Sequence, residues 1–322
     1  MNADTRTAMH KFSGHETFPC RYAWLPKAVE EVSAAPNLFK DEDKAMVSLG
    51  VGKNMVRSIR FWAEAARMIE PASKETGYRV SSIGKVLMRG NGRKGPLDPY
   101  IEDIQTLWLI HWNLAVNSAF LVFAWDFFLS KWQDPEVSAS LAFLALRKMA
   151  ASKEKVVSDS ILHQQYDIFL RSYVPTRGRK GEVREDNLDC PLVELELLRQ
   201  IGVRQSSINT DRHEPVYAFR REPKPEISSA LFAYCLDDYW RLWHREEATL
   251  SFSLLVNGHH SPGQVFKLPE DDIRNRCESL AADTNVFFEF QESAMQPIIV
   301  RKRPPEEAFP LSRVYSEEVA ND

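Results

Sequence analysis

Leu49 to Trp62, L-G-V-G-K-N-M-V-R-S-I-R-F-W, is the stretch that decides how the first part of this chain folds. Gly50-Val51-Gly52 predicts a tight turn, because glycine enters positive φ without a Cβ penalty. Upstream, Asp41-Glu42-Asp43 predicts the start of a short helix, since acids suit the positive end of a helix dipole. That helix carries Ala45, Met46 and Leu49 and stops at Gly50. Downstream, Val56, Ile59, Ala63 and Ala66 recur at helical spacing from Lys53 to about Met68. Lys53, Arg57 and Arg60 fall on the opposite face, with Asn54 and Ser58 beside them. Short helix, glycine turn and basic second helix form the helix-turn-helix layout. The period then changes. Met68-Ile69-Glu70 and Tyr78-Arg79-Val80, around a turn at 71–77, predict a hairpin, and Ile83 to Arg89 a further helix. A helix-turn-helix followed by a hairpin predicts a winged helix over residues 1–97.

Charge singles out the same region. Between Lys44 and Lys94 stand eleven basic residues and three acids, a net of +8, in a chain whose total is −4. The remainder therefore carries −12. A basic module on an acidic remainder is the electrostatic footprint of a phosphate-backbone binder; a solvated basic face is the other reading. Lys53, Asn54, Arg57, Ser58, Arg60, Lys74, Arg79, Arg93 and Lys94 are the DNA-binding candidates here, with Asn54 the residue placed to read a base edge. A second basic loop at 176–184 holds Arg177, Arg179, Lys180 and Arg184 against one acid. Arg177, Arg179 and Lys180 join the candidates as a loop that could grip a duplex or a displaced strand.

Beyond the turn-rich linker at 91–99 the chain predicts a helical bundle over 98–190. Ile101 to Val116 and Ala119 to Trp132 read as two strongly apolar helices, followed by helices at Pro135 to Ala151 and Ser158 to Tyr173. Their tryptophans and phenylalanines at helical spacing predict core, each buried ring supplying roughly 150–250 Å² of contact. Residues 191–322 predict a wing-like α+β unit. Leu192 to Ile201 reads as helix, Ser207 to Arg221 as a hairpin and Ile227 to Arg245 as helix. Short strands follow at Leu250 to Val256, Val286 to Phe290 and Ile298 to Arg301, with a helix near Glu270 to Ala282. The fold class expected is mainly α with small β hairpins (α+β): N-terminal winged helix-turn-helix, central helical bundle and C-terminal wing-like α+β unit.

With 44% apolar and 27% charged residues, the 322-residue chain has the composition of a globular protein of two or three domains. Thirteen glycines are few for a glycine-punctuated all-β fold. Cys20, Cys190, Cys235 and Cys277 lie far apart, with no C-x-x-C pair or histidine at zinc spacing, and read as reduced thiols. Met1 to His10 lacks the apolar core of a signal peptide. The most apolar region, Leu107 to Trp132, is broken by His111, Asn113, Asn117, Ser118 and Asp126, unlike a membrane span. A cytoplasmic location is expected.

Three stretches are distinctive: F-S-G-H-E-T-F-P-C-R-Y-A-W-L at Phe12 to Leu25, the Leu49 to Trp62 segment, and D-P-Y-I-E-D-I-Q-T-L-W-L-I-H-W at Asp98 to Trp112. Together they resemble the bacterial family known as domain of unknown function 4007. The resemblance implies a component of a single-stranded DNA phosphorothioation (sulfur modification) and phage-defence system, one regarded as nicking DNA. It also implies double-stranded DNA and the sulfur-transfer and ATPase proteins of that system as partners.

No phosphate-binding glycine loop is present, and no carboxylate–lysine set follows a strand as a nuclease core would need. Intrinsic nicking would call on a divalent metal, magnesium or manganese. Two clusters are chemically varied. His15, Glu16 and Arg21 lie inside the first distinctive stretch. His15 would serve as base or metal ligand, Glu16 as ligand or orienter, and Arg21 as phosphate clamp; the alternative is a local cap fixing the entry to the first helix. His259-His260, after Asn257-Gly258, offers a base to activate water or simply an exposed turn. Three functions stay open: a DNA-binding component of a phosphorothioation pathway, with or without nicking of one strand; a non-catalytic winged-helix adaptor or transcriptional regulator; and an assembly protein whose basic patch meets an acidic partner. A homodimer fits any of them.

Overall fold

The computed structural model of the chain describes residues 10–72, 77–90, 92, 94–151, 157–175, 190–209, 211–293 and 296–316. Its N-terminal part follows the sequence closely. Helix α1 (Trp24–Ala34) buries Trp24, Leu25, Ala28, Val29 and Val32, a face of three- and four-residue spacing. Helix α2 (Glu42–Leu49) is capped by the Asp41 carboxylate, which accepts from the Lys44 N–H at 3.1 Å. It ends where Gly50 turns to φ 66°. Helix α3 (Lys53–Ala65) buries Val56, Ile59, Phe61, Trp62 and Ala63. Strands β1 (Ile69–Pro71) and β2 (Tyr78–Val80) then pair antiparallel, Ile69 opposite Val80. Ser81 caps helix α4 (Ser82–Met88).

Helix α5 (Ile104–Val116) is buried at every position from Thr106 to Val116. A helix surrounded on all sides must satisfy its polar side chains internally. His111 accordingly lies 2.7 Å from the Tyr173 hydroxyl and 3.0 Å from the Val265 carbonyl. Asn113 donates to the Ala66 carbonyl. The single helix expected from Ala119 to Trp132 is instead a short helix α6 (Phe123–Asp126) that passes into one π turn, Phe127–Lys131. There the Trp132 N–H reaches the Phe127 carbonyl, five residues back, at 2.9 Å.

Three further expectations are corrected. Residues 135–151 are not all helix: strand β3 (Glu136–Ser138) precedes helix α7 (Ala139–Ala151) because it pairs with a strand far along the chain. Helix α8 (Asp159–Tyr173) stands where predicted. Leu192 to Ile201 is a 3-10 turn, Pro191–Leu195, that runs into strand β4 (Leu198–Gln205). Strand β4 pairs antiparallel with β5 (His213–Phe219), the register shifting by one residue between Gln200 and Gly202, and the sheet order is β3-β5-β4. Helix α9 (Ser229–Trp243) follows. Leu250 to Val256 divides into strand β6 (Thr249–Ser251) and helix α10 (Phe252–Asn257). A short apolar run suits strand or helix equally; the Ser251 hydroxyl, accepting from the Leu254 N–H, decides for helix. Helices α11 (Pro262–Phe266) and α12 (Glu270–Asp283) lead to β7 (Phe288–Gln291) and β8 (Ile298–Arg301), in a sheet ordered β6-β8-β7.

The result is a mixed α+β chain of helices and small antiparallel sheets. Its buried apolar side chains form one continuous cluster from Cys20 to Val314, across residues 97 and 190. Arg67, at φ 61° just past α3, ties the N-terminal part to α9. Its guanidinium meets both Asp238 oxygens, at 2.6 and 3.1 Å, and the Trp112 indole N–H donates to the same carboxylate at 2.9 Å. All four cysteines are free and buried. Among the described residues no helix is long and apolar enough to cross a membrane.

Candidate functional site

The basic stripe on α3 sits where the sequence placed it, but it is not bare. Lys53 and Asn54 are exposed at the start of the helix. One turn on, the Arg57 Nε lies 2.8 Å from a Glu42 oxygen, and Lys53 lies 2.7 Å from the other. Glu42 thus bridges α2 to two cations of α3. Hydrogen bonds from Arg57 and then Lys53 pull its carboxyl down to about 2. Arg60 is half-buried in a surface groove beside Lys40 and Tyr78. Ser58 corrects the sequence reading. It is fully buried, and its hydroxyl donates to the His15 carbonyl at 2.7 Å, so it cannot face DNA in this fold. Arg79 pairs with Glu70 across the hairpin at 2.9 Å, and Lys94 is exposed. Lys74, Arg93, Arg177, Arg179 and Lys180 fall outside the described residues.

The stretch Gly14 to Phe18 is a turn clamped onto α3. Glu16 and Thr17 both adopt left-handed backbone, at φ 48° and 70°. Ser58 holds the His15 carbonyl, and the Trp62 indole N–H holds that of Phe18 at 2.9 Å. The His15 imidazole points inward, edge-on to Phe61, with its Nε2 2.8 Å from the Gln165 amide. Burial lowers its pKa to about 4. Glu16 and Arg21 stay partly exposed, the Arg21 guanidinium 5.5 Å from the centre of the Trp24 ring. The turn's geometry is what the architectural alternative calls for, with His15 neutral and away from water.

A second cluster assembles from three separate parts of the chain. Asp126, at the last residue of α6, is fully buried. Its Oδ2 lies 2.8 Å from His10 Nε2 and 2.7 Å from Lys131 Nζ. Lys131 reaches back because the π turn brings residue i+5 over residue i, where an α-helix would carry it away. His10 is held there by main-chain bonds of Lys11 to Leu121 and Phe123. The other oxygen, Oδ1, faces His259 Nε2 at 2.8 Å and His260 Nε2 at 3.3 Å. Both histidines lie in the turn between α10 and α11, which needs glycine at 258: a Cβ there would meet the Leu254 carbonyl at 2.4 Å. His260 is buried, in left-handed backbone at φ 60°, with Nδ1 3.2 Å from the Ser130 hydroxyl and Trp243 stacked on its ring. His259 is 44% exposed. Burial works against the Asp126 carboxylate, yet the imidazoles of His10, His259 and His260 outweigh it and hold it well below the usual range. Burial first, then the neighbouring His259, lowers His260 to about 3. The exposed-turn reading thus fails for His260, though it holds for much of His259.

The sequence did carry one signal for this cluster. An aspartate in an otherwise apolar helix must find cationic or hydrogen-bonding partners once buried. Which partners it finds is set only by the fold.

A mixed α+β fold and three distinctive stretches of sequence together define the class. Residues 12–314 match the family described as protein of unknown function (DUF4007), and the chain belongs to it. Two solved structures are similar over nearly the whole length. One is a magnesium-ion-bound SspB crystal structure, at 25% identity and TM-score 0.78, covering 94% of this chain and 87% of the other. The second is an SspB crystal structure at 25% identity and TM-score 0.76, covering 92% and 85%. No curated protein matches the chain.

Proposed function

We propose that this protein is the DNA-engaging component of a bacterial DNA phosphorothioation and defence system, acting beside the sulfur-transfer and ATPase proteins of that system. The observation that carries the reading is the likeness to SspB over 94% of the chain. The surface it would use is the winged helix-turn-helix, with α3 as recognition helix and the β1–β2 hairpin as wing. Lys53, Arg57 and Arg60 would meet phosphates, the contacts that position a protein on duplex DNA, and Asn54 a base edge. Arg79 and Lys94 would extend the contact, as would Lys74, Arg93, Arg177, Arg179 and Lys180.

Nicking is the finer part of this proposal. His15, Glu16 and Arg21 would supply it from the turn clamped to α3, provided His15 swings out of its pocket. Its burial favours a second reading, a non-catalytic adaptor that brings a modification enzyme to DNA. Relaxation of supercoiled plasmid by the purified chain, with magnesium, with manganese and with chelator, separates the two. Metal-dependent open circles abolished by Glu16→Gln would support nicking by this turn. Bound but uncut plasmid under all three conditions would leave the adaptor, and no binding at low salt would overturn the proposal.

A further inference from the structure

Around Asp126 the two carboxylate oxygens have different company. Oδ2 is saturated by His10 and Lys131. Oδ1 has no hydrogen-bond partner among the described residues, and neither does His260 Nε2, although both are buried and 3.3 Å apart. His259 Nε2 is only 2.8 Å from Oδ1, so that contact too is not an aligned hydrogen bond. Buried polar atoms left unpaired cost free energy, and two of them facing each other beside the half-exposed His259 need an explanation. Asp126 Oδ1, His259 Nε2 and His260 Nε2 all lie within 4.8 Å of one another. A tetrahedral cation about 2.0–2.2 Å from each ligand would set neighbouring ligand atoms about 3.4 Å apart. The 3.3 Å between Asp126 and His260 fits that spacing, and the 2.8 Å to the half-exposed His259 would open by about half an ångström on binding.

We propose that Asp126, His259 and His260 form a binding site for one divalent transition-metal ion of the zinc and cobalt kind. Two imidazoles and one carboxylate suit such an ion, whereas magnesium takes oxygen ligands and keeps its waters. Two neighbouring groups resemble an outer shell that orients ligands. Ser130 sits at His260 Nδ1, leaving Nε2 for the metal, and His10 fixes the far oxygen of Asp126, while the Lys131 cation beside that oxygen opposes the metal's charge. The left-handed backbone at His260 is strain of the kind that gathers at functional sites. Three protein ligands with one side open at the exposed His259 leave room for water or a substrate oxygen, as in hydrolytic rather than closed structural sites. The site stands on its own residues, whether or not the chain engages DNA.

The test loads metal-free full-length protein with Co²⁺, followed by visible absorption, and with Zn²⁺ and Mg²⁺, followed by titration calorimetry. One Co²⁺ per chain with visible bands of nitrogen–oxygen ligation is expected, displaced by Zn²⁺ and not by a hundredfold excess of Mg²⁺. His259→Ala removes an exposed ligand, so metal-free thermal stability should hold while Zn²⁺ affinity falls at least tenfold. Lys131→Gln removes a cation next to the ligand carboxylate and should tighten Zn²⁺ several-fold. Wild-type binding in His259→Ala would overturn the site, as would Mg²⁺ displacing Co²⁺ stoichiometrically. If His259→Ala unfolds, the Lys131→Gln affinity decides: unchanged or weakened Zn²⁺ binding rejects the proposal.

Discussion

Replacing Arg57 and Arg60 together by alanine tests the recognition-helix proposal most directly. Both side chains project from α3 away from its buried face, and neither holds the core. Each phosphate contact on duplex DNA contributes about 0.9 to the slope of log affinity against log salt. Losing two should flatten the slope by about 1.8. Over a fourfold rise in salt, from roughly 50 to 200 mM, each contact accounts for about a threefold loss of affinity, so the pair accounts for about tenfold. The variant should therefore bind more weakly at low salt, and its deficit should shrink about tenfold by the higher salt. Glu42 gives an internal control, because it holds Lys53 and Arg57 in the free protein. Glu42→Gln removes one negative charge facing the DNA and releases both cations, so it should tighten binding and steepen the slope. Fluorescence anisotropy with a labelled duplex, at four salt concentrations, measures all three proteins. An unchanged slope in the double variant, with native circular dichroism, would refute α3 as the DNA-reading helix.

Arg67→Ala should cost about 3–5 kcal/mol in a urea titration, since it strands the buried Asp238 carboxylate; a loss below 1 kcal/mol would show that the Trp112 indole and Arg241, whose guanidinium lies 3.7 Å from Asp238, suffice. Burial lowers His111 to about 3, and His15 to about 4, while a histidine in the unfolded chain titrates near 6.5. Below pH 6.5 the unfolded state therefore binds more protons. Each of the two should withdraw on the order of 1 kcal/mol of stability per pH unit, until its folded pKa is reached. Urea midpoints that stay level from pH 7 to pH 5 would contradict this. Ser58→Ala should leave the salt slope of DNA binding unchanged and lower stability by about 1 kcal/mol, because its hydroxyl bonds inward to His15; a changed slope would return Ser58 to the DNA face.

Local chemistry made the N-terminal part legible. Asp41 as cap, Gly50 as left-handed stop and the apolar spacing of α3 are all short-range devices, so residues 41 to 89 could be read with little knowledge of the rest. Where elements depend on distant partners, reading by period failed. Glu136–Ser138 is strand because β5 lies beside it, and Leu198–Gln205 is strand for the same reason. Neither pairing leaves a mark in its own few residues. The same physics divides the sites. Basic residues on α3 are recognisable because a solvated stripe is a property of one helix. Even so, the sequence could not show that Ser58 turns inward, or that Glu42 closes over Lys53 and Arg57. The assembly of the Asp126 cluster was hidden, since His10, Asp126 and His259-His260 lie more than a hundred residues apart. The sequence alone determined that a buried aspartate would need partners. Tertiary structure decided which they are, because a carboxylate with no water to solvate it takes whatever cationic and imidazole groups the packed chain brings within 3 Å or so.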